Sequence, residues 1–166
     1  MISLQYGEAT TADRADILEL SCISYASFAA QLTPEHRETL LRNQGDEKLL
    51  AVLMAEARTF ICSAGEQLVG VVFLVPAGKA TPVYPADWAY IRRLAVHPDF
   101  RRRGIGRQLM EMVIVQARAA GEKILGLHTS TLMPEARRMY DQLGFELVRE
   151  LPVALGQQYW LYRMEL

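Results

Sequence analysis

No apolar run in the chain approaches the roughly 18 residues that a membrane-spanning helix needs, although 51% of its 166 residues are hydrophobic. The opening Met1-Ile2-Ser3-Leu4-Gln5 has no basic region followed by an apolar core, so no signal peptide is expected. Cysteine is scarce. Cys22 and Cys62 stand alone in apolar surroundings and read as reduced core thiols. Neither has an evident activating partner that would make it a nucleophile, and the compartment expected is the cytoplasm. An excess of one charge is also missing: 18 basic against 19 acidic residues leave a formal net charge of −1. No global field therefore draws the chain to nucleic acid or to an anionic membrane. Internal repeats, low-complexity stretches and linkers are absent from the sequence.

What is present is one domain's worth of chain, residues 1–166, enough to bury about two thirds of its unfolded surface. The basic residues are unevenly spread. Arg92, Arg93, Arg101, Arg102, Arg103 and Arg107 crowd together, which fits a local cationic site for a compact polyanion better than an extended nucleic-acid face. Most informative is Arg101-Arg102-Arg103-Gly104-Ile105-Gly106-Arg107, placed after an apolar run and before a long helical segment. Its glycines let backbone N–H groups close on phosphate oxygens, and the helix start adds unpaired donors and a positive dipole end. The arginines add charge and forked donors. A dinucleotide fingerprint would need glycine at 109, where Leu109 stands, and no Gly-Lys-Ser/Thr follows as in a P-loop. Arg-x-x-Gly-x-Gly between a strand and a helix remains, with a solvated basic turn as the plainer reading.

Periodicity and turn residues outline the rest. Ile2–Tyr6 reads as a strand. Thr10 or Thr11 caps a helix striped by Ile17, Leu20, Ile23 or Ser24, and Phe28; further helices begin at Thr33-Pro34 and at Asp46. Strands over Thr59–Ser63 and Leu68–Val75 form a hairpin, residues 76–87 form a loop, and Trp88–Val96 is the next strand. A helix over Gly104–Ala120, a strand over Lys123–Thr129 and a helix over Pro134–Leu143 follow. Phe145–Glu150 and Gln158–Leu166 close the chain as strands. From Trp88 to Thr129, strand, helix and strand alternate, so a parallel crossover is expected.

A second segment joins the glycine turn. Ala136-Arg137-Arg138-Met139-Tyr140-Asp141-Gln142-Leu143-Gly144-Phe145 has the form Ala-x-x-x-Tyr-x-x-x-Gly-Phe. Together the two segments resemble motifs A and B of the GCN5-related N-acetyltransferase (GNAT) family, in order and at the family's spacing, over residues 88–150. The resemblance implies a single-domain α/β fold with a mixed, mostly antiparallel central sheet flanked by helices. It also implies acetyl-CoA as co-substrate and a primary amine as acceptor, with no metal. The cofactor residues it implies are Leu94, Ala95, Val96, Arg101, Arg102, Arg103, Gly104, Ile105, Gly106, Arg107, Arg137 and Tyr140. A bulge near the end of the strand would free backbone groups around Leu94–Val96 for pantetheine, and an N–H at or beside Val96 would hold the oxyanion. Tyr140 would be the general acid for departing thiolate.

The sequence departs from the family twice. Met133 stands where motif B often has asparagine, so that contact is missing or comes from Ser130, Thr131 or a backbone group. Tyr90 stands where many relatives carry a glutamate, and no carboxylate lies between Trp88 and Val96. His128 is then the candidate base, because its intrinsic pKa suits proton removal near neutrality; Asp87 is a second candidate. His97 reads as structural, and His36 faces solvent or the acceptor mouth. Tyr25, Phe28, Trp88, Tyr90, Tyr159 and Trp160 are aromatic candidates for the acceptor pocket or the core. Neither nucleic acid nor membrane is an expected partner, and a homodimer is an open alternative. The rival to an enzyme is a non-catalytic CoA-binding module that senses or regulates.

Overall fold

Polar caps set the first third of the chain. In the computed structural model, which describes residues 2–166, strand β1 (Leu4–Glu8) leads to three helices: α1 (Arg14–Ala29), α2 (Pro34–Gln44) and α3 (Glu47–Glu56). Thr10 accepts from the Ala12 N–H in the 3-10 turn before α1. Thr33 accepts from the His36 N–H at the start of α2, and Asp46 from the N–H groups of Lys48 and Leu49 at α3. Each cap fills donors that a helix start otherwise leaves bare. The stripe of α1 runs through Ile17, Leu20 and Ser24, whereas Ile23 is 38% exposed.

The remaining elements are β2 (Arg58–Ala64), β3 (Gln67–Val75), β4 (Ala89–Val96), α4 (Ile105–Ala119), β5 (Ile124–Ser130), α5 (Pro134–Leu143), β6 (Glu146–Ala154) and β7 (Gln157–Glu165). The strands form one sheet in the order β1-β2-β3-β4-β5-β7-β6. Every neighbouring pair is antiparallel except β4 and β5, which run parallel. This is the mixed, mostly antiparallel sheet that was expected. Most strand bounds agree with the sequence reading to within one residue, and two strands, β1 and β6, depart further. β1 starts two residues later, leaving Ile2 59% exposed. β6 runs on through Pro152 to Ala154, as an outermost strand can, because its free edge needs no donor there.

The sheet is covered on both faces. Residues of α4, with Tyr140 of α5, pack on one side against Phe60, Val72, Leu74, Ile91 and Leu125. Residues of α1, α2 and α3 pack on the other against Val71, Phe73 and Val75. The two-residue alternation of β3 thus feeds both cores. One close approach fixes the start of α4. A Cβ on Gly70 would lie 2.8 Å from Ile105 Cγ2 and 3.0 Å from Leu109 Cδ1, so only glycine lets the first turn of that helix settle on β3. Among the described residues no helix is long and apolar enough to cross a membrane, and no group of three or more His, Cys, Asp or Glu is placed to hold a metal ion.

Candidate active site

The site begins where the sheet opens. β4 and β5 pair only at Ala89 with Leu125 and at Tyr90 with Gly126; beyond them the strands diverge. On its other side β4 stays paired with β3, but the register slips: Val71 faces Ala95 while Phe73 faces Arg92. Two residues, Arg93 and Leu94, therefore oppose Val72 alone, and Arg93 takes φ 51°. Such a bulge bends its strand and re-aims the side chains around it. Past the bulge, the His97 N–H donates to the Val69 carbonyl at 2.8 Å. Because successive strand N–H groups alternate in direction, the Val96 N–H points the opposite way, into the opening.

The opening leads to the arginine-glycine turn. His97 Nδ1 accepts from the Asp99 N–H at 3.1 Å, and Pro98–Phe100 form a single 3-10 turn. Gly104 then takes φ +78°, a left-handed conformation, and α4 begins at Ile105 with no side chain capping it. The first helical bond, from the Gln108 N–H to the Gly104 carbonyl, is 3.0 Å long. The N–H groups of Ile105, Gly106 and Arg107 thus have no partner within the helix, an arrangement suited to an anion. They border a cavity of about 580 Å³ whose walls include Leu94, Val96, Gly104, Gly106, Met133 and Ala136.

The arginines of the turn divide their tasks. Arg101 is drawn back to α1: its guanidinium donates to Ser27 Oγ at 2.9 Å and to the Ser24 carbonyl at 3.0 Å, and lies 4.5 Å from the centre of the Phe28 ring. Arg103 lies over Phe100 at 4.8 Å. Arg102 and Arg107 stay at the cavity, in exposed ion pairs with Glu135 and Glu111, each 3.3 Å long. Pairs that exposed are weak and are readily exchanged for a better anion. Arg137 donates to the Tyr162 hydroxyl at 3.3 Å and stacks 3.6 Å above Trp160.

A second cavity, of about 400 Å³, adjoins the first and shares Leu132 and Met133 with it. Its walls include Tyr25, Gln44, Arg92, Arg93, His128 and Tyr159. Arg92 and Arg93 therefore sit apart from the 101–107 turn, although the sequence reads all six arginines as one cluster. His128 Nδ1 lies 2.6 Å from the hydroxyl of Tyr84, a loop residue stacked on Tyr90 with ring centres 4.2 Å apart. Burial first, and the Arg92 charge second, push the His128 pKa down to about 4. The unfolded chain, with a histidine near pKa ~6.5, binds this proton more readily than the folded one. Stability from this group is complete above pH ~6.5 and declines as the pH falls from there toward 4. Across that window the wild type should lose about 2–3 kcal/mol more than His128→Gln in urea unfolding; parallel losses would contradict this.

The sequence model of the Acetyltransferase (GNAT) family matches residues 20–145. The chain belongs to the GNAT family. N-acetyltransferase 8F1 of Rattus norvegicus is 30% identical over 119 residues, covering 72% of this chain and 53% of that protein. The ribosomal protein bS18-alanine N-acetyltransferase of Salmonella typhimurium is 31% identical over 116 residues, covering 70% and 67%. The chain thus spans 53% and 67% of the length of these curated relatives. The fold recurs in the PaiA N-acetyltransferase of Thermoplasma acidophilum, solved with coenzyme A, at a TM-score of 0.80 and 16% identity over 99% of this chain and 100% of that one. It recurs also in the yncA protein of Salmonella typhimurium, solved with acetyl-CoA, at 0.74 and 17% over 98% and 93%.

Within this GNAT chain, Leu94, Val96, Arg101, Arg102, Gly104, Ile105, Gly106 and Arg107 come together around the first cavity. Ala95 is buried toward the α1–α3 core, and neither it, Arg103, Arg137 nor Tyr140 borders either cavity. Tyr140 is 6% exposed, edge-on to Phe145 at 5.9 Å. Burial, with the Tyr25 phenol as a second cause, pushes its pKa well above the usual phenol range, so it stays protonated. Of the aromatic candidates, Phe28 borders the first cavity and Tyr25 and Tyr159 the second. Cys62 is buried, whereas Cys22 is only partly so. The sequence reading missed Tyr84, whose contact with His128 spans 44 positions and leaves no local signal. It also missed Gln44, placed by the last turn of α2.

Proposed function

We propose that this GNAT chain, acting as one domain over residues 1–166, moves an acetyl group from acetyl-CoA to a primary amine by direct attack in a ternary complex. One observation carries the reading: the uncapped start of α4 and the bulged end of β4 meet in one cavity, which adjoins a second lined by β4 and β5 where those strands part. The bare N–H groups of residues 105–107, with Arg102 and Arg107, take the diphosphate. Pantetheine lies along the free edge of β4, as an added strand would. The amine occupies the second cavity.

The amine nitrogen attacks the thioester carbon, and the developing oxyanion is held by the Val96 N–H. The C–S bond then breaks, and the leaving thiolate takes a proton from Tyr140, which lies just behind the cavity wall on the helix that contributes Ala136 and Met139 to it. The proton lost by nitrogen passes to His128 Nε2, in the tautomer whose Nδ1–H donates to Tyr84, and on to water. Burial makes His128 a weak base, so it holds that proton only in transit. Two free cysteines fit a reducing cytoplasm.

Thiol release from acetyl-CoA, measured with a panel of primary amines, tests the reading. At least one amine should raise release well above acceptor-free hydrolysis. Acetyl-CoA binding with no amine-dependent release would instead support the sensory module, a reading favoured by the lack of any carboxylate in the walls of the second cavity.

A further inference from the structure

Resting on the transferase reading, we infer that the second cavity selects a small amine that carries a carboxylate, as an amino acid does. The cavity wall holds two adjacent guanidinium groups and no acidic side chain. Neither Arg92 nor Arg93 forms an ion pair among the described residues. Arg93 Nη1 is closed off from solvent and has no hydrogen-bond partner. Arg93 as a whole is half-buried, and a partly desolvated guanidinium without a counter-charge is costly unless an anion joins it.

The groups facing Arg93 agree with this. Its pKa is lowered by burial first and by the Arg92 charge second; Tyr25, Asp46 and Cys22 oppose the shift only in part. Asp46 is the sole carboxylate among these neighbours, and it already caps α3 through the N–H groups of Lys48 and Leu49. Two further buried atoms in the same wall lack partners, Gln44 Oε1 and Thr129 Oγ1. The first can only accept and the second can do either. These sealed atoms reach a ligand only if side chains shift, but the open wall itself presents two unpaired cations and no anion, which a short aminocarboxylate complements within about 400 Å³. A guanidinium fork matches a carboxylate in two parallel bonds. A polyamine would bring charge of the wrong sign.

Matched acceptors test this: phenylalanine, its amide and phenethylamine, with phosphoethanolamine as a second kind of anion, in the acetyl-CoA thiol-release assay. The acid should exceed its amide and the amine by about 100-fold in kcat/KM, because discarding one partner leaves the partly desolvated guanidinium unpaired. Arg93→Met should remove that preference, raising KM for the acid while KM for the amide stays put. Equal use of acid and amide, or preference for phosphoethanolamine, overturns the inference but leaves the transferase reading standing. Calorimetry of the same ligands on the CoA-loaded protein separates the opposite case. Selective binding of the acid without turnover supports this inference and sinks the transferase reading. Absence of binding by any aminocarboxylate tested, including glycine and glutamate, counts against the inference.

Discussion

Tyr140→Phe should bind acetyl-CoA as the wild type does and turn over about 100- to 1,000-fold more slowly. The change removes one oxygen from a side chain that is 6% exposed and leaves its ring against Phe145. No side-chain hydrogen bond among the described residues depends on that hydroxyl, so the fold loses no partner. What is lost is the proposed proton donor, a phenol held in its neutral form by burial. General acid catalysis of thiolate departure typically contributes that range. Steady-state kcat, set beside a calorimetric Kd for acetyl-CoA, gives the comparison. An unchanged kcat would assign the proton to another group, and a collapsed affinity would make the phenol a binding contact.

The second large effect belongs to Gly106. A Cβ there would find nothing nearer than Leu94 Cδ2 and Val96 Cγ2, both at 3.8 Å, so a side chain fits the free protein. It would fill the first cavity, which Gly106 borders. Gly106→Asp should therefore fold normally, with stability within about 1 kcal/mol of wild type, since an acidic residue in a first turn favours the helix. The same carboxylate would repel a diphosphate from the N–H groups beside it. CoA affinity should drop by at least about 100-fold, while Gly106→Ala should lose far less. A variant that is stable and still binds CoA tightly would move the phosphate site elsewhere.

Punctuation made much of this protein readable. Thr33-Pro34 and Asp46 announced helices because caps act within a few residues, and Gly104 marked the start of α4 because a left-handed residue is cheap only there. The first cavity was legible for the same reason: its turn and its strand are continuous in sequence. The second cavity was not. Arg92 and Arg93 lie within 15 positions of Arg107, yet the bulge at Arg93 turns them to another site, and a bulge has no composition of its own. Tyr84 and His128 meet through tertiary packing alone. The course of β7 between β5 and β6 likewise depends on long-range pairing rather than on any local run.

Calorimetric titration of the unmodified protein with CoA and with pantetheine, which lacks the diphosphate, tests the phosphate-binding role of the bare α4 terminus most directly. CoA should bind at least about 100-fold more tightly, with the gap narrowing as salt is raised. Equal affinities for the two, or no heat with CoA, would contradict the account.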